Sequence, residues 1–315
     1  MVSRQGTTGW GRRSVAAAVG VIGDRLVGEP PASLHPLVGF GRVMRSVEAA
    51  VWSDARWPGV AYAAAGIGLG AGAGGMAGTT AGATVLAVGG RALGRAGNAV
   101  GRALASGDLE EARSLLPALV GRDAAGLDEK EMARAVVESV AENTVDAVVA
   151  PALWAVAGGA AGALGYRAAN TLDALVGHRS ARHGRFGWAS ARVDDLAGWA
   201  PARVTAALVA TVRPRSATAV WEAVRRDAPA HPSPNAGVAE AAFAAALGLR
   251  LGGVSRYGGR VDLRPSLGTG RPPEPADIRR AVHLASDVGL ALAGALALAP
   301  LPFRTRARRT AGRGR

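Results

Sequence analysis

The chain has 315 residues, 37 Lys and Arg against 24 Asp and Glu, a net charge of +13 and no Cys. Without Cys there are no disulfides, thiolate nucleophiles, iron–sulfur clusters or Cys-ligated zinc, and the sole Lys, Lys130, follows no glycine run, which excludes a Walker A phosphate loop. Nine Arg crowd the two ends (Arg4, Arg12, Arg13 and six between Arg304 and Arg315), leaving residues 14–303 near balance at +4, so the charge is not a nucleic-acid footprint.

The first apolar stretch, 14–23, suits a short span or an interfacial helix. A Pro-stiffened polar loop follows, carrying Asp24, Glu29, His35 and Arg42. Residues 57–90 carry no charge and are too long for one span of about 20 residues. They predict a helical hairpin over 57–104, turned at Gly72, Gly74 and Gly75. Arg on both flanks (Arg42, Arg45, Arg56; Arg91, Arg95, Arg102) puts both of its ends in the cytoplasm. Gly66, Gly70, Gly74, Gly78 and Gly82 recur every fourth residue, a pattern that serves close helix packing within the chain or self-association into a homo-oligomer. The uncharged run 147–166 predicts a second membrane segment, with Gly158, Gly162 and Gly165 at helical spacing. A second short apolar run covers 201–213, Pro-rich loops cover 229–234 and 265–275, and the latter is the most linker-like piece. A last span over 281–303 runs straight into the Arg tail, 304–315, which fixes the C-terminus in the cytoplasm. Strand signals are scarce. The expected fold is all-α: one polytopic integral membrane helical bundle over 1–315, in the cell membrane, with cytoplasmic segments forming the site.

The polar residues gather between the apolar runs. Glu138, Glu142 and Asp146 are spaced to share one helix face. Three stacked carboxylates repel without a cation, and Arg134 offsets only one; the stripe leads into an uncharged run, where ionisable groups are costly and functional. Mg²⁺ bridging to phosphate suits such a set. A second constellation holds Asn170 and Asp173 on one face, then His178, Arg179, Arg182, Arg185 and Arg192, then Asp194 and Asp195. The Arg suit phosphate oxygens, although some of them serve topology alone. Asp227, His231, Ser233, Asn235 and Glu240 form a weaker group. There is no zincin His pair and no Gly-x-Ser-x-Gly elbow.

The strings Gly28-Glu-Pro30, His35-Pro36, Val120-Gly-Arg-Asp123, Val137-Glu-Ser-Val-Ala-Glu-Asn-Thr-Val-Asp146, Asn170-Thr-Leu-Asp173, Ser190-Ala-Arg-Val-Asp-Asp195, Pro201-Ala-Arg203 and Ser233-Pro-Asn235 occur in one order over about residues 20–270. Together they resemble the CobD/CbiB family of membrane proteins in cobalamin biosynthesis, the adenosylcobinamide-phosphate synthases. Gly259 stands where that resemblance leads one to expect an acid, so its turn receives no role. The resemblance implies ATP- and Mg²⁺-dependent amide formation between adenosylcobyric acid and (R)-1-aminopropan-2-ol or its O-phosphate. The carboxylate must first be activated, as an acyl phosphate or similar ester, because an oxyanion is a poor leaving group. On that reading Glu138, Glu142 and Asp146 with Asp194 and Asp195 form the Mg²⁺-nucleotide pole, Glu142, Asp146, Asp194 and Asp195 being the metal ligands. Asn143, Asn170 and Asp173 orient the reacting groups. Arg122, Arg179 and Arg192, with Asp123, contact phosphate, and His35, Ser233 and Asn235 meet the corrin amides or the amine.

Two rival classes predict other patterns. A prenyl-diphosphate transferase requires two Asp-Asp-x-x-Asp motifs, and Asp194-Asp195 is followed by Leu196-Ala-Gly. A transporter or scaffold requires ionisable groups inside the spans, and the long runs here are clean.

Overall fold

The computed structural model describes residues 9–30, 35–121, 126–178, 180–257 and 260–299. Among them twelve α-helices follow in chain order: α1 (Gly9–Leu26), α2 (Pro36–Val51), α3 (Arg56–Met76), α4 (Thr80–Ala87), α5 (Gly90–Ala105), α6 (Leu109–Leu115), α7 (Glu129–Thr144), α8 (Ala150–Leu172), α9 (Trp188–Val212), α10 (Ala217–Asp227), α11 (Ala236–Leu247) and α12 (Pro275–Leu298). One antiparallel hairpin, β1 (Leu251–Tyr257) with β2 (Arg260–Leu267), interrupts the helices. The fold is therefore helical as expected, with one small sheet that the sequence did not signal.

The central element is the stretch from α7 to the end of α8. A capping box starts it: Asp128 accepts from Glu131 N, and the Glu131 side chain accepts from Asp128 N. A π-helical turn, Val145–Val149, joins α7 to α8, and a second, Asp173–Gly177, closes α8. By length and composition Glu129–Gly177 is one of two helical stretches apolar enough to cross a membrane among the described residues, the other being Pro275–Leu298. Yet it is not one straight rod. Gly159 has φ 63° and ψ −147°, far from helical values, and the chain reverses there. A Cβ on Gly162 would fall 2.2 Å from Trp154 O, eight residues back, an approach that a continuous helix cannot give. The expected span 147–166 is thus corrected to a helical hairpin with arms 150–158 and 160–172, about 13 and about 20 Å long. Sequence periodicity runs unbroken on both sides of Gly159, so only the backbone angle reveals the reversal.

The hairpin predicted over 57–104 is corrected in two ways: its turn lies elsewhere, and its arms do not pack on each other, since α3 and α4 both pack chiefly on α8. Gly72, Gly74 and Gly75 are inside α3; the chain turns at 77–79, with Gly78 at φ 76°. The returning arm breaks at Val88–Gly89 into α4 and α5. α4 has eight residues and so spans about 12 Å. The four-residue glycine ladder works within the chain. Gly66 faces Leu172, Gly70 faces Ala168 and the Leu164 carbonyl, and Gly74 faces the Ala160 carbonyl, where a Cβ would stand 2.4 Å away. Three rungs thus let α3 lie against the second arm of α8 in antiparallel sense, while Gly78 makes the turn and Gly82 caps back to Thr79. On the other side α1, α5 and α12 pack together. Ser14 Oγ donates to Leu296 O at 2.7 Å, and Gly97 and Gly101 approach Val282 and Ile278.

The β-hairpin is held to α7 through a bulge. Gly252 N donates to Glu138 Oε1 at 2.9 Å, and Arg134 donates to Gly252 O at 2.7 Å and Val254 O at 2.6 Å. Gly252 has φ 85°, and a Cβ there would collide with Pro265 O; only glycine fits. The segment 265–275, expected as a linker, is instead tied down: it completes β2 and leads into α12 through Asp277. The Asp277 carboxylate is fully buried and accepts from Arg271 (2.7 and 3.0 Å), Arg280 (2.6 Å) and Glu274 N (2.9 Å). Asp277→Ala strips four hydrogen bonds from a buried point and is expected to destabilise the protein by about 2–4 kcal/mol. A thermal unfolding midpoint within 1–2 °C of wild type would contradict this reading.

Candidate active site

Asp146 and Asn170 are 24 residues apart, yet the reversal at Gly159 brings them into contact at the feet of the two arms. Asn170 Nδ2 donates to Asp146 Oδ2 and to Asp194 Oδ1, each at 3.2 Å. One amide NH₂ carries two hydrogens and serves both carboxylates. Its orientation is set from behind: Arg167 Nη1 donates to Asn170 Oδ1 at 3.2 Å, so the carbonyl faces Arg167 and the NH₂ faces the acids. Three elements thereby meet at one amide: the first π turn, the second arm of α8, and α9.

Further acids face this knot. Glu142, exposed one turn before Asp146, acts electrostatically on Asp146, Asp173 and Asp194. Asp173 opens the second π turn and feels Asp194 and Asp195. π turns widen the helix by one residue and recur at functional sites; here each carries an aspartate. Asp194 is raised to about 6: burial is the largest cause, the Asn170 bond opposes it, and Asp195 and Glu142 push it further up. Arg192 Nη1 lies 3.4 Å from Asp195 Oδ2 and is exposed. Among the described residues no three Asp, Glu or His side chains converge into a closed metal cage.

The other expected site residues divide. Glu138 does not join Glu142 and Asp146; it turns to the β-hairpin, as described above. Asn143 bonds back to Ser139 O and Oγ in its own helix, at 2.9 and 3.2 Å. Asn235 lies next to the site: its Nδ2 donates to Asp195 O at 2.8 Å and its Oδ1 accepts from Arg203 at 3.3 Å, while Arg203 stacks over Trp199 at 4.4 Å. Ser233 Oγ accepts from Asn235 N and Ala236 N, shaping the entry to α11. His35 is buried at the N-cap of α2, accepting from Leu37 N, with Glu29 Oε2 3.8 Å away; burial, then Arg167, pushes its pKa below the usual value. Arg122, Asp123 and Arg179 lie outside the described residues.

Arg167 and Glu29 belong to the site and were not singled out for it in the sequence. Arg167 is the first charge after the uncharged run and sits three residues before Asn170, which is the signal that marks it. It acts on Asp146, Asp194, Glu29 and His35 together. Glu29 reaches in from the N-terminal loop, where its carboxylate leaves room for no side chain at Gly89.

A protein-family model described as "CobD/Cbib protein" matches residues 17–285. The chain is 46% identical over 310 residues to the cobalamin biosynthesis protein CobD of Mycobacterium tuberculosis (strain CDC 1551 / Oshkosh), covering 92% of this chain and 96% of that protein. It is 43% identical over 293 residues to the protein of that name from Chromobacterium violaceum (88% and 93% covered), and 42% identical over 286 residues to that of Geobacter metallireducens (82% and 86% covered). No solved structure matches the chain significantly. The motifs that meet at Asn170 lie within the matched region, and on the extent of these matches the chain belongs to the CobD/CbiB family.

Proposed function

We propose that the chain acts in cobalamin biosynthesis as an ATP-dependent ligase, joining a propionate carboxylate of adenosylcobyric acid to (R)-1-aminopropan-2-ol or its O-phosphate. The observation that carries this reading is the Asn170 knot: two aspartates drawn together on one amide, with more acids and with Arg167 and Arg192 at its margin. Phosphoryl transfer asks for that combination of oxygen donors and guanidinium.

Mg²⁺ takes one or two carboxylates and completes its shell from water and substrate phosphate. An open pair, Asp146 and Asp194, with Glu142 facing it, fits that need better than a closed cage would. When bound, the ion supplies charge neutralisation at the nucleotide phosphates. Asn170 holds the two aspartates at fixed spacing, and Arg192 holds phosphate oxygens from the solvent side. The substrate carboxylate takes the terminal phosphoryl group of ATP, releasing ADP. The amine nitrogen then attacks the acyl carbon, the C–O bond to phosphate breaks, and a carboxylate beside the amine accepts the ammonium proton.

The membrane setting rests on α12, on the glycine-packed hairpins and on tryptophan. Trp10, Trp57, Trp188 and Trp199 are exposed, and Arg56 stacks over Trp188 at 5.2 Å; such amphipathic pairs suit a bilayer interface. The site and the Arg tail face the cytoplasm on this reading.

The test is product mass: membranes containing the chain, given adenosylcobyric acid, ATP, Mg²⁺ and each amine in turn, yield the amide with one of them. No amide with either amine would overturn the assignment. A pH series adds a second check. An acid with a raised pKa is neutral below that value and charged above it, so Asp194 gains its charge as pH rises through about 6. Mg²⁺-nucleotide affinity is expected to fall at least fivefold from pH 7.5 to pH 5.0, and a flat profile would remove Asp194 from the metal pole.

A further inference from the structure

A concavity lies between α1, α5, α7 and α12, beside the Gly89–Gly90 break. Its volume is about 360 Å³ and its walls are largely apolar, with Val21, Leu93, Val148, Val282 and Leu290 among them. That is the small end of the roughly 300–1,000 Å³ range of ligand pockets, a size for a small molecule and not for a corrin.

One charged group lines it deeply. Asp24 is 2% exposed. Its Oδ2 accepts from Arg91 N at 3.0 Å, the Gly90 N–H also acts on the carboxylate, and a side chain at Gly90 would press on the same oxygen. Its Oδ1 is buried and makes no hydrogen bond among the described residues. The neighbouring guanidinium groups donate elsewhere, Arg91 to the carbonyls of Leu26 and Arg25 and Arg25 to Ser286 Oγ, although the Arg91 charge still acts on Asp24 through space. A buried carboxylate oxygen without a protein donor is costly unless something else satisfies it. In an apolar chamber it calls for a donor, and a cationic one most of all. Arg95 and Asn98, one turn apart on α5, line the same chamber and offer donors to a hydroxyl or an anion.

We infer that this chamber is the seat of the amine substrate: the Asp24 carboxylate receives a primary ammonium, the apolar walls hold a short alkyl body, and Arg95 with Asn98 meet its oxygen substituent. The inference rests on the ligase reading for the identity of the amine, and it relocates the amine from His35, Ser233 and Asn235 to α1 and α5. Only the Val88–Gly90 backbone and the first π turn separate the chamber from the Asn170 knot, since Gly89 N donates to Ala147 O at 2.8 Å and Gly90 abuts Val148.

The experiment measures equilibrium binding to the purified full chain of (R)-1-aminopropan-2-ol, its O-phosphate, n-propylamine and propan-2-ol. Propylamine is expected to compete with the amino alcohol, and propan-2-ol is not. Asp24→Asn should weaken amine binding at least tenfold while Mg²⁺-ATP affinity stays within twofold. Gly289→Leu, which adds a side chain to the chamber wall away from Asp24, should do the same by filling it, and decides the matter if Asp24→Asn does not fold. Wild-type chain that binds none of the amines, propan-2-ol competing as well as propylamine, or unchanged amine affinity in a folded variant would each overturn the inference. Amine binding lost in the variants, with no amide made by wild type, would leave the chamber standing and remove the ligase reading instead.

Discussion

Asp146→Ala and Asp194→Ala are each expected to lower amide formation by about 10³-fold or more, a loss on the order of 4 kcal/mol in transition-state stabilisation. The two carboxylates share one donor, Asn170 Nδ2, at 3.2 Å each. Removing either leaves the other without its counterpart at the phosphate and leaves half of the amide unmatched. Effects within such a unit do not add: the double variant should be little worse than the single ones, and Asn170→Ala should approach them. Glu138→Gln is the informative comparison. Helical spacing groups Glu138 with Glu142 and Asp146, but its Oε1 accepts from Gly252 N. This substitution is expected to leave turnover within about threefold of wild type and to lower thermal stability instead, because the amide it introduces weakens the pairing with Arg134. Turnover lost with Glu138→Gln and kept with Asp194→Ala would invert the assignment.

Gly159→Val is expected to abolish activity without touching any polar group of the site. Gly159 sits at φ 63° and ψ −147°, a region that is closed to side chains and costs an ordinary residue on the order of 1–3 kcal/mol, more for a β-branched one. Crowding is not the cause, since its nearest neighbours, Thr80 Oγ1 and Arg13 Nε, would be 3.4 and 3.6 Å from a Cβ. The alternative open to the chain is a continuous helix, in which residues 24 apart stand about 36 Å from each other. Asn170 then no longer reaches Asp146. Gly158→Ala is the control: a Cβ there meets nothing within 4 Å, and wild-type turnover is expected. Equal turnover in both variants would show that the reversal is dispensable.

What the sequence disclosed follows from which interactions are local. Helix propensity, the glycine ladder and the uncharged runs are local patterns, and the helical fold and a close-packing face on α3 were legible from them, though not that α8 is the helix that face meets. The acidic strings announced the site because ionisable groups beside apolar runs are costly enough to need a reason. The reversal at Gly159 was not legible, since the residues around it read as one apolar stretch and one backbone angle decides between rod and hairpin. Arg167 was hidden for the same reason: its partners in the first π turn and on α9 become neighbours only after the chain folds back. Glu138 shows the opposite failure. Spacing alone put it on the acidic face, but the bulge at Gly252 presents an amide that claims it. The β-hairpin itself carries Gly252, Gly253 and Pro265, residues that usually argue against strands, and forms because α7 supplies Arg134 and Glu138 to hold the bulge.

The fold-back of α8 also carries an arithmetic of sidedness. On the membrane reading proposed above, a segment that reverses at its midpoint returns to the face from which it entered, so it contributes zero to the number of crossings. Counting 147–166 as a crossing inverts every later segment: α9 would stand opposite α7, and Asp194 would be a full layer away from Asp146. With the reversal, parity on that reading is preserved across an apolar stretch, and two strings that a hydropathy plot assigns to opposite compartments share a single amide.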